Sequence, residues 1–152
     1  SYRTMNITVV APAPENPMAS PSGGSIQLNW DESICTNASG YSIYRRSGPY
    51  GYVPDHCETG VPAYTGYTFL ASLDGVNSTS YLDSDGLVIG NQYCYMVVAD
   101  LPGGAESYAS EEFCAILDRQ VPVITKFSVG VTDVSAGIDT VNSTLVVTET
   151  SK

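Results

Sequence analysis

Positive charge is scarce in this chain. Its 152 residues include only six of Lys and Arg, with Lys126 and Lys152 the sole lysines, against 16 of Asp and Glu, for a formal net charge of −10. A surface of that sign repels phosphate backbones and anionic lipid, which excludes nucleic acid and direct membrane insertion as modes of partnership. Long apolar runs are missing as well, so no segment has the length of a membrane span. Nothing after Ser1-Tyr2-Arg3-Thr4 has the apolar core of a signal peptide, although a chain cut from a longer precursor would not carry one. There is one histidine, His56, and no C-x-x-C pair among the four cysteines, which argues against zinc-ribbon and thioredoxin chemistry. Triad, paired-carboxylate and phosphate-loop signatures are also missing, so the expectation is a non-catalytic chain without a cofactor.

Helical periodicity is absent throughout, and what replaces it is alternation. In Gln92-Tyr93-Cys94-Tyr95-Met96-Val97-Val98-Ala99, the residues Tyr93, Tyr95, Val97 and Ala99 share one face. That is the pattern of a strand with a face fit for burial. A Tyr placed just after a turn, at the start of such a strand, is how immunoglobulin-like sandwiches build a tyrosine corner. Ser25–Trp30 puts Ile26, Leu28 and Trp30 on one face behind a Gly23-Gly24 turn. Further strand-like runs occur at Gly40–Arg46, Tyr67–Leu73, Ser78–Asp83 and Ser107–Leu117. With a first strand near Pro17 the count is about seven, the number expected of a β-sandwich. The hydrophobic content of 43% is enough for a core.

The prolines of Ala11–Pro17 break strand pairing and mark a joint, and Asp118–Pro122 marks a second. The predicted organisation is therefore residues 1–11 as the end of a preceding module or linker, 12–118 as the sandwich, and 119–152 as the start of a following β module. Strands are expected at Thr4–Val10, Val123–Val131 and Thr140–Val147. The last two would either begin that module or add to the main domain.

Four cysteines allow three pairings. Cys94 and Cys114 lie in runs that face each other across a turn, and Cys35 and Cys57 flank the Gly40–Arg46 strand. The favoured pairing is Cys94–Cys114 with Cys35–Cys57, each bridge contributing roughly 3 kcal/mol in the chain-entropy model. Disulfides imply an oxidising compartment outside the cytoplasm.

Residues 47–67 form a long irregular segment carrying Tyr50, Tyr52, Tyr64 and Tyr67. Such a segment is either functional or stapled down. The tyrosines are a candidate binding surface for a protein or a glycan. The favoured reading is that they pack as a small core over a Cys35–Cys57 staple. Asp55-His56-Cys57-Glu58 gathers metal-binding residue types, but consecutive side chains diverge, and the expectation is no metal. Asp83-Ser84-Asp85-Gly86 has part of a calcium-loop pattern without its distal Glu, and reads as a polar turn.

Taken together, Trp30, Gly40-Tyr41-x-Ile43-Tyr44-Arg45, Tyr81-x-Asp83 and Gly90-x-x-Tyr93-x-Tyr95-x-Val97-x-Ala99, preceded by Pro14 and Pro17, resemble a fibronectin type III domain over Pro14 to Leu117. The resemblance implies an all-β, seven-stranded immunoglobulin-like sandwich flanked by partial modules. It implies no catalytic residues. A narrower likeness rests on Cys35–Arg46, Cys57-Glu58-Thr59-Gly60-Val61-Pro62 and Tyr93-Cys94-Tyr95. These pieces look like repeats in large secreted proteins of gliding Bacteroidetes, which leave by the type IX secretion system. That likeness implies an extracellular spacer or adhesion module, partnered by neighbouring domains of the same polypeptide. The alternatives are a glycan-binding module and an accessory domain of a secreted hydrolase.

Overall fold

The computed structural model describes residues 2–4 and 9–118. The chain divides into two units, Ser1–Val121 and Pro122–Lys152, and every described residue belongs to the first. The strands expected at Val123–Val131 and Thr140–Val147 lie outside the described residues, as does the middle of the one at Thr4–Val10.

Two antiparallel sheets face each other. The smaller holds β1 (Met18–Ser22), β2 (Ser25–Asn29) and β5 (Ser80–Asp83), in the order β1-β2-β5. The larger holds β3 (Gly40–Ser47), β4 (Thr68–Asp74), β6 (Gln92–Leu101), β7 (Ala105–Glu106) and β8 (Phe113–Ile116). Its order is β4-β3-β6, with β7 and β8 pairing the two ends of β6. The β1–β2 hairpin turns at Gly23 and Gly24, both at positive φ, where a side chain would be strained. The two sheets are opposed as in an immunoglobulin-like sandwich.

The alternation read from the sequence sets the core. Ile26, Leu28 and Trp30 come from the small sheet. Tyr41, Ile43, Tyr93, Tyr95, Val97, Ala99, Phe113 and Ala115 meet them from the large one. Full burial of residues such as Ile26 and Leu28 contributes about 1.5–3 kcal/mol each. The Tyr93 hydroxyl accepts a hydrogen bond from the Val88 N–H at 2.9 Å, which pins the turn before β6 as a tyrosine corner does.

Of the last expected strand, Ser107–Leu117, only β8 forms, and the short β7 precedes it. Between β7 and β8 the chain bows away from β6, and side chains replace part of the ladder. Ser107 Oγ accepts from Ala99 N at 2.9 Å, and Ser110 Oγ accepts from Val97 N at 3.0 Å. Serine hydroxyls compete well with backbone acceptors, and this is why the alternation in that stretch did not yield one continuous strand. The freed edge is closed by Gly60, which forms a parallel bridge with Tyr108, and by Ala11, whose carbonyl accepts from Tyr108 N at 3.0 Å.

An ion pair joins the sheets. Asp83, on β5, is fully buried. Arg45 Nη1, from β3, donates to both its oxygens at 2.9 and 2.8 Å, and Tyr95 Oη, from β6, donates to Oδ2 at 2.8 Å. Arg45 also donates to the Asp85 carbonyl at 2.7 Å. Burial first, and then the bond to Asp83, push the Tyr95 hydroxyl above its ordinary pKa, so it remains a donor. Asp83 is therefore a structural acceptor, engaged on both oxygens, and the polar turn that follows is tied to Arg45.

Removing one partner of a buried pair leaves the other charge uncompensated, at a cost of roughly 3–5 kcal/mol. Arg45→Met is expected to lower stability by that amount in urea titration. A change below about 1 kcal/mol would show that the sheets are held without this pair.

Candidate functional site

Strand β6 is buried on both faces. Its inner face forms the sandwich core, while Cys94, Met96 and Val98 point the other way and are also wholly inaccessible. The cover on that side is the irregular segment that follows β3. Gly48 and Gly51, at φ 72° and 78°, turn the chain back across the sheet. Pro62 leads into a 3-10 turn at Ala63–Thr65, which Gly66 ends in the left-handed conformation. Tyr52 and Tyr67 drop onto Cys94, Met96, Val98 and Ala109, with Tyr44, Val61 and Cys114 at the margin.

A distant carboxylate clamps this cover. Glu112 Oε1 accepts from Tyr50 N at 2.6 Å and from Tyr67 Oη at 2.5 Å, and Oε2 accepts from Gly51 N at 3.0 Å. Burial pushes the Glu112 carboxyl upward. The bonds from Tyr67, Tyr50 and Gly51, with the nearby Arg46 guanidinium, outweigh that and hold it below its ordinary value.

Two tyrosines stay outside. Tyr50 is 46% exposed and Tyr64 63%, with ring centroids 6.5 Å apart and planes inclined at 54°. Tyr64 also meets the buried Tyr52 edge-on at 6.4 Å. Glu58 lies beside two of these rings, accepting from Tyr64 Oη at 3.0 and 3.2 Å and from Tyr52 Oη at 3.0 Å. Burial and then Glu58 raise the pKa of both hydroxyls, so each remains a donor. The Arg46 guanidinium lies 5.6 Å from the Tyr50 ring centroid and donates to the carbonyls of Gly48 and Pro49 at 2.9 and 2.6 Å. The patch thus presents two exposed aromatic rings side by side, one of them hydrogen-bonded to a carboxylate.

The four tyrosines therefore divide into two that pack and two that project. The small core they were expected to form exists, but it covers a different staple. Cys94 and Cys114 face each other in register on β6 and β8 and are joined in a disulfide. The expected Cys35–Cys57 bridge is corrected: both are free thiols, Cys35 half-buried and Cys57 exposed. The reason lies in what holds their loops. The loop before β3 is tied to the inner face, where Ser33 N donates to Tyr41 Oη at 2.8 Å. Cys57 belongs to the cover on the outer face, with its N–H on Tyr108 Oη at 3.0 Å.

His56 is exposed, and its backbone N–H donates to Asp55 Oδ1 at 2.7 Å. Among the described residues no three His, Cys, Asp or Glu side chains converge. Sequence reasoning missed Glu58, Arg46 and Glu112 as parts of the tyrosine site. Glu58 and Arg46 stand near the tyrosines in the chain, and a charge among clustered aromatics was the available signal. Glu112 lies 62 residues beyond Tyr50, and no local pattern announces that contact.

A folded-state carboxylate pKa below its ordinary value contributes stability that is present above the ordinary value and lost as pH falls through the lowered one. Amide exchange at Tyr50 and Gly51 is thus expected to be slow at neutral pH and to lose its protection in acid beyond the ordinary glutamate range. Glu112→Gln should cost roughly 1–3 kcal/mol and release those amides at neutral pH. Equal protection in the wild type and the variant would show that Glu112 does not hold the segment.

No protein-family model and no curated protein matches the chain. Solved structures do. A fibronectin-type-III-like protein from Clostridium thermocellum is 26% identical, with a TM-score of 0.50, over 74% of this chain and 99% of that one. A β-1,2-glucanase from Parabacteroides distasonis is 20% identical over 74% of this chain and 13% of that one, with a TM-score of 0.55. A myokine structure is 20% identical over 72% of this chain and 99% of that one, with a TM-score of 0.52. The fold is thus an immunoglobulin-like β-sandwich of the fibronectin type III kind.

Proposed function

We propose that residues 12–118 are a non-catalytic structural and adhesion module of an extracellular multidomain polypeptide. Neighbouring modules begin or end in residues 1–11 and 119–152. The observation that carries this reading is a fibronectin-type-III-like sandwich fastened by the Cys94–Cys114 disulfide, since such a bond persists in an oxidising compartment. The work of the module is to keep its shape between its neighbours. The Arg45–Asp83 pair ties sheet to sheet, and the disulfide ties the final strand to β6. The likeness of Cys35–Arg46, Cys57–Pro62 and Tyr93–Tyr95 to repeats in secreted proteins of gliding Bacteroidetes favours export by the type IX route. The match to 13% of a glucanase chain supports a place within a larger protein.

A second reading is a glycan-binding role through the Tyr50–Tyr67 segment, alone or as the accessory domain of a secreted hydrolase. The exposed pair Tyr50 and Tyr64 favours it.

The first reading is tested by pulling the 152-residue chain end to end. The module should unfold in one discrete step. Reductant should lengthen that step by roughly 7 nm, because the bonded cysteines stand 20 positions apart and that stretch becomes extensible at about 3.5 Å per residue. In material isolated without reductant, alkylation should label Cys35 and Cys57 only. Extension without a discrete step, or four labelled thiols, would sink the proposal.

A further inference from the structure

The tyrosine patch has a chemistry that selects among glycans. We infer that Tyr50, Tyr64 and Glu58 form a subsite for a neutral hexopyranose ring and discriminate against uronic acids. This inference rests on the glycan-binding reading and deepens it.

Three observations converge on that ligand class. The first is exposure combined with restraint. Tyr64 is held through its hydroxyl by Glu58, and Tyr50 through its backbone by Glu112 and through its ring by Arg46 and Tyr64, so two rings that face water are also restrained. Rings already ordered in the free protein lose little freedom on binding. An aromatic ring that remains about half exposed is suited to a ligand that has an apolar face, and the C–H face of a pyranose is one.

The second observation is the acceptor beside the rings. A carboxylate has about four lone-pair positions on its two oxygens. Among the described residues only three donors reach Glu58, namely Tyr64 Oη, whose one proton is shared between the two oxygens, Tyr52 Oη, and Asp55 N at a long 3.4 Å, which leaves one acceptor position for a sugar hydroxyl. A hydroxyl-rich ring fits a site that offers aromatic faces and a charged acceptor within one small area.

The third is the sign of the charge. Glu58, Glu112 and Asp55 all lie in or under the patch, on a chain of net charge −10. Among the described residues the one cation there, Arg46, is engaged with the carbonyls of Gly48 and Pro49 and lies against the Tyr50 ring. A sugar carboxylate placed on the rings would meet Glu58 with no free cation to offset it. A neutral ring meets no such opposition.

The test is titration calorimetry on the 152-residue chain with cellohexaose, laminarihexaose and mannohexaose as neutral probes and hexagalacturonate as the anionic one, at 150 mM salt. The expected result is binding of at least one neutral hexasaccharide with no detectable binding of hexagalacturonate. Tyr50→Ala and Tyr64→Ala should each weaken it at least tenfold. Phe69→Ala, which removes another exposed ring on β4, should leave it unchanged. Circular dichroism of each variant separates lost binding from lost folding. Binding of hexagalacturonate at the tyrosines as tightly as any neutral probe would overturn the charge selection while leaving the glycan reading intact. Neutral binding that survives both tyrosine substitutions would overturn the site. Absence of binding to every saccharide would overturn the inference and the glycan reading together, and would leave the structural role standing.

Discussion

Asp83 belongs to the three-stranded sheet, yet everything that satisfies its carboxylate comes from the other sheet or from the turn just after it. Arg45 and Tyr95 reach it from β3 and β6. Apolar packing between the sheets is strong but non-directional, and it tolerates small slides of one sheet over the other. A buried carboxylate that must be met by a guanidinium and a phenol tolerates none, because a displaced partner leaves a charge without compensation. The pair therefore sets where the sheets stand relative to each other. It also recruits the Asp85 carbonyl, which orders the turn leading toward the tyrosine corner.

A second constraint follows from β6 having two apolar faces. A strand at the centre of a sandwich needs one. The outer residues Cys94, Met96 and Val98 need a cover, and the segment between β3 and β4 supplies it through Tyr52 and Tyr67. The cover cannot be regular, since it has to leave β3, cross the outer face and return as β4. Glycines and prolines give it that path, and the carboxylates of Glu58 and Glu112 satisfy amides and phenols that regular pairing would otherwise satisfy. The exposed tyrosines are thus by-products of a structural solution as much as a surface. Two rings hold the cover down, and the other two are carried outward by the same segment in fixed positions.

The break in the final strand belongs to the same region. With Ser107 and Ser110 bonding β6 through their hydroxyls, the edge bows out far enough for Gly60 and Ala11 to dock against it. The proline-rich Pro12–Pro17 segment then lies beside Tyr52–Pro54 and Ala109–Glu112, enclosing a groove of about 580 Å³. The approach to the sandwich and the tyrosine cover are consequently built on one side of the domain.

Much of this was legible without coordinates. Period-two alternation identified β2, β3 and β6 and put Ile26, Leu28 and Trp30, and Tyr93, Tyr95, Val97 and Ala99, each on one face fit for burial, because a side chain's face in a strand follows from its parity alone. The Tyr93 corner was readable from a Tyr just past a turn. The fate of the cysteines, the separation of the tyrosines into packed and projecting pairs, and the partners of Asp83 and Glu112 were not. Those depend on which loops share a face of the sheet and on which charges meet across 38 or 62 residues of chain. Parity is a local property and is written in the order of residues. Which face a long loop crosses is set only when the sheets have stacked and one remaining apolar surface has to be covered.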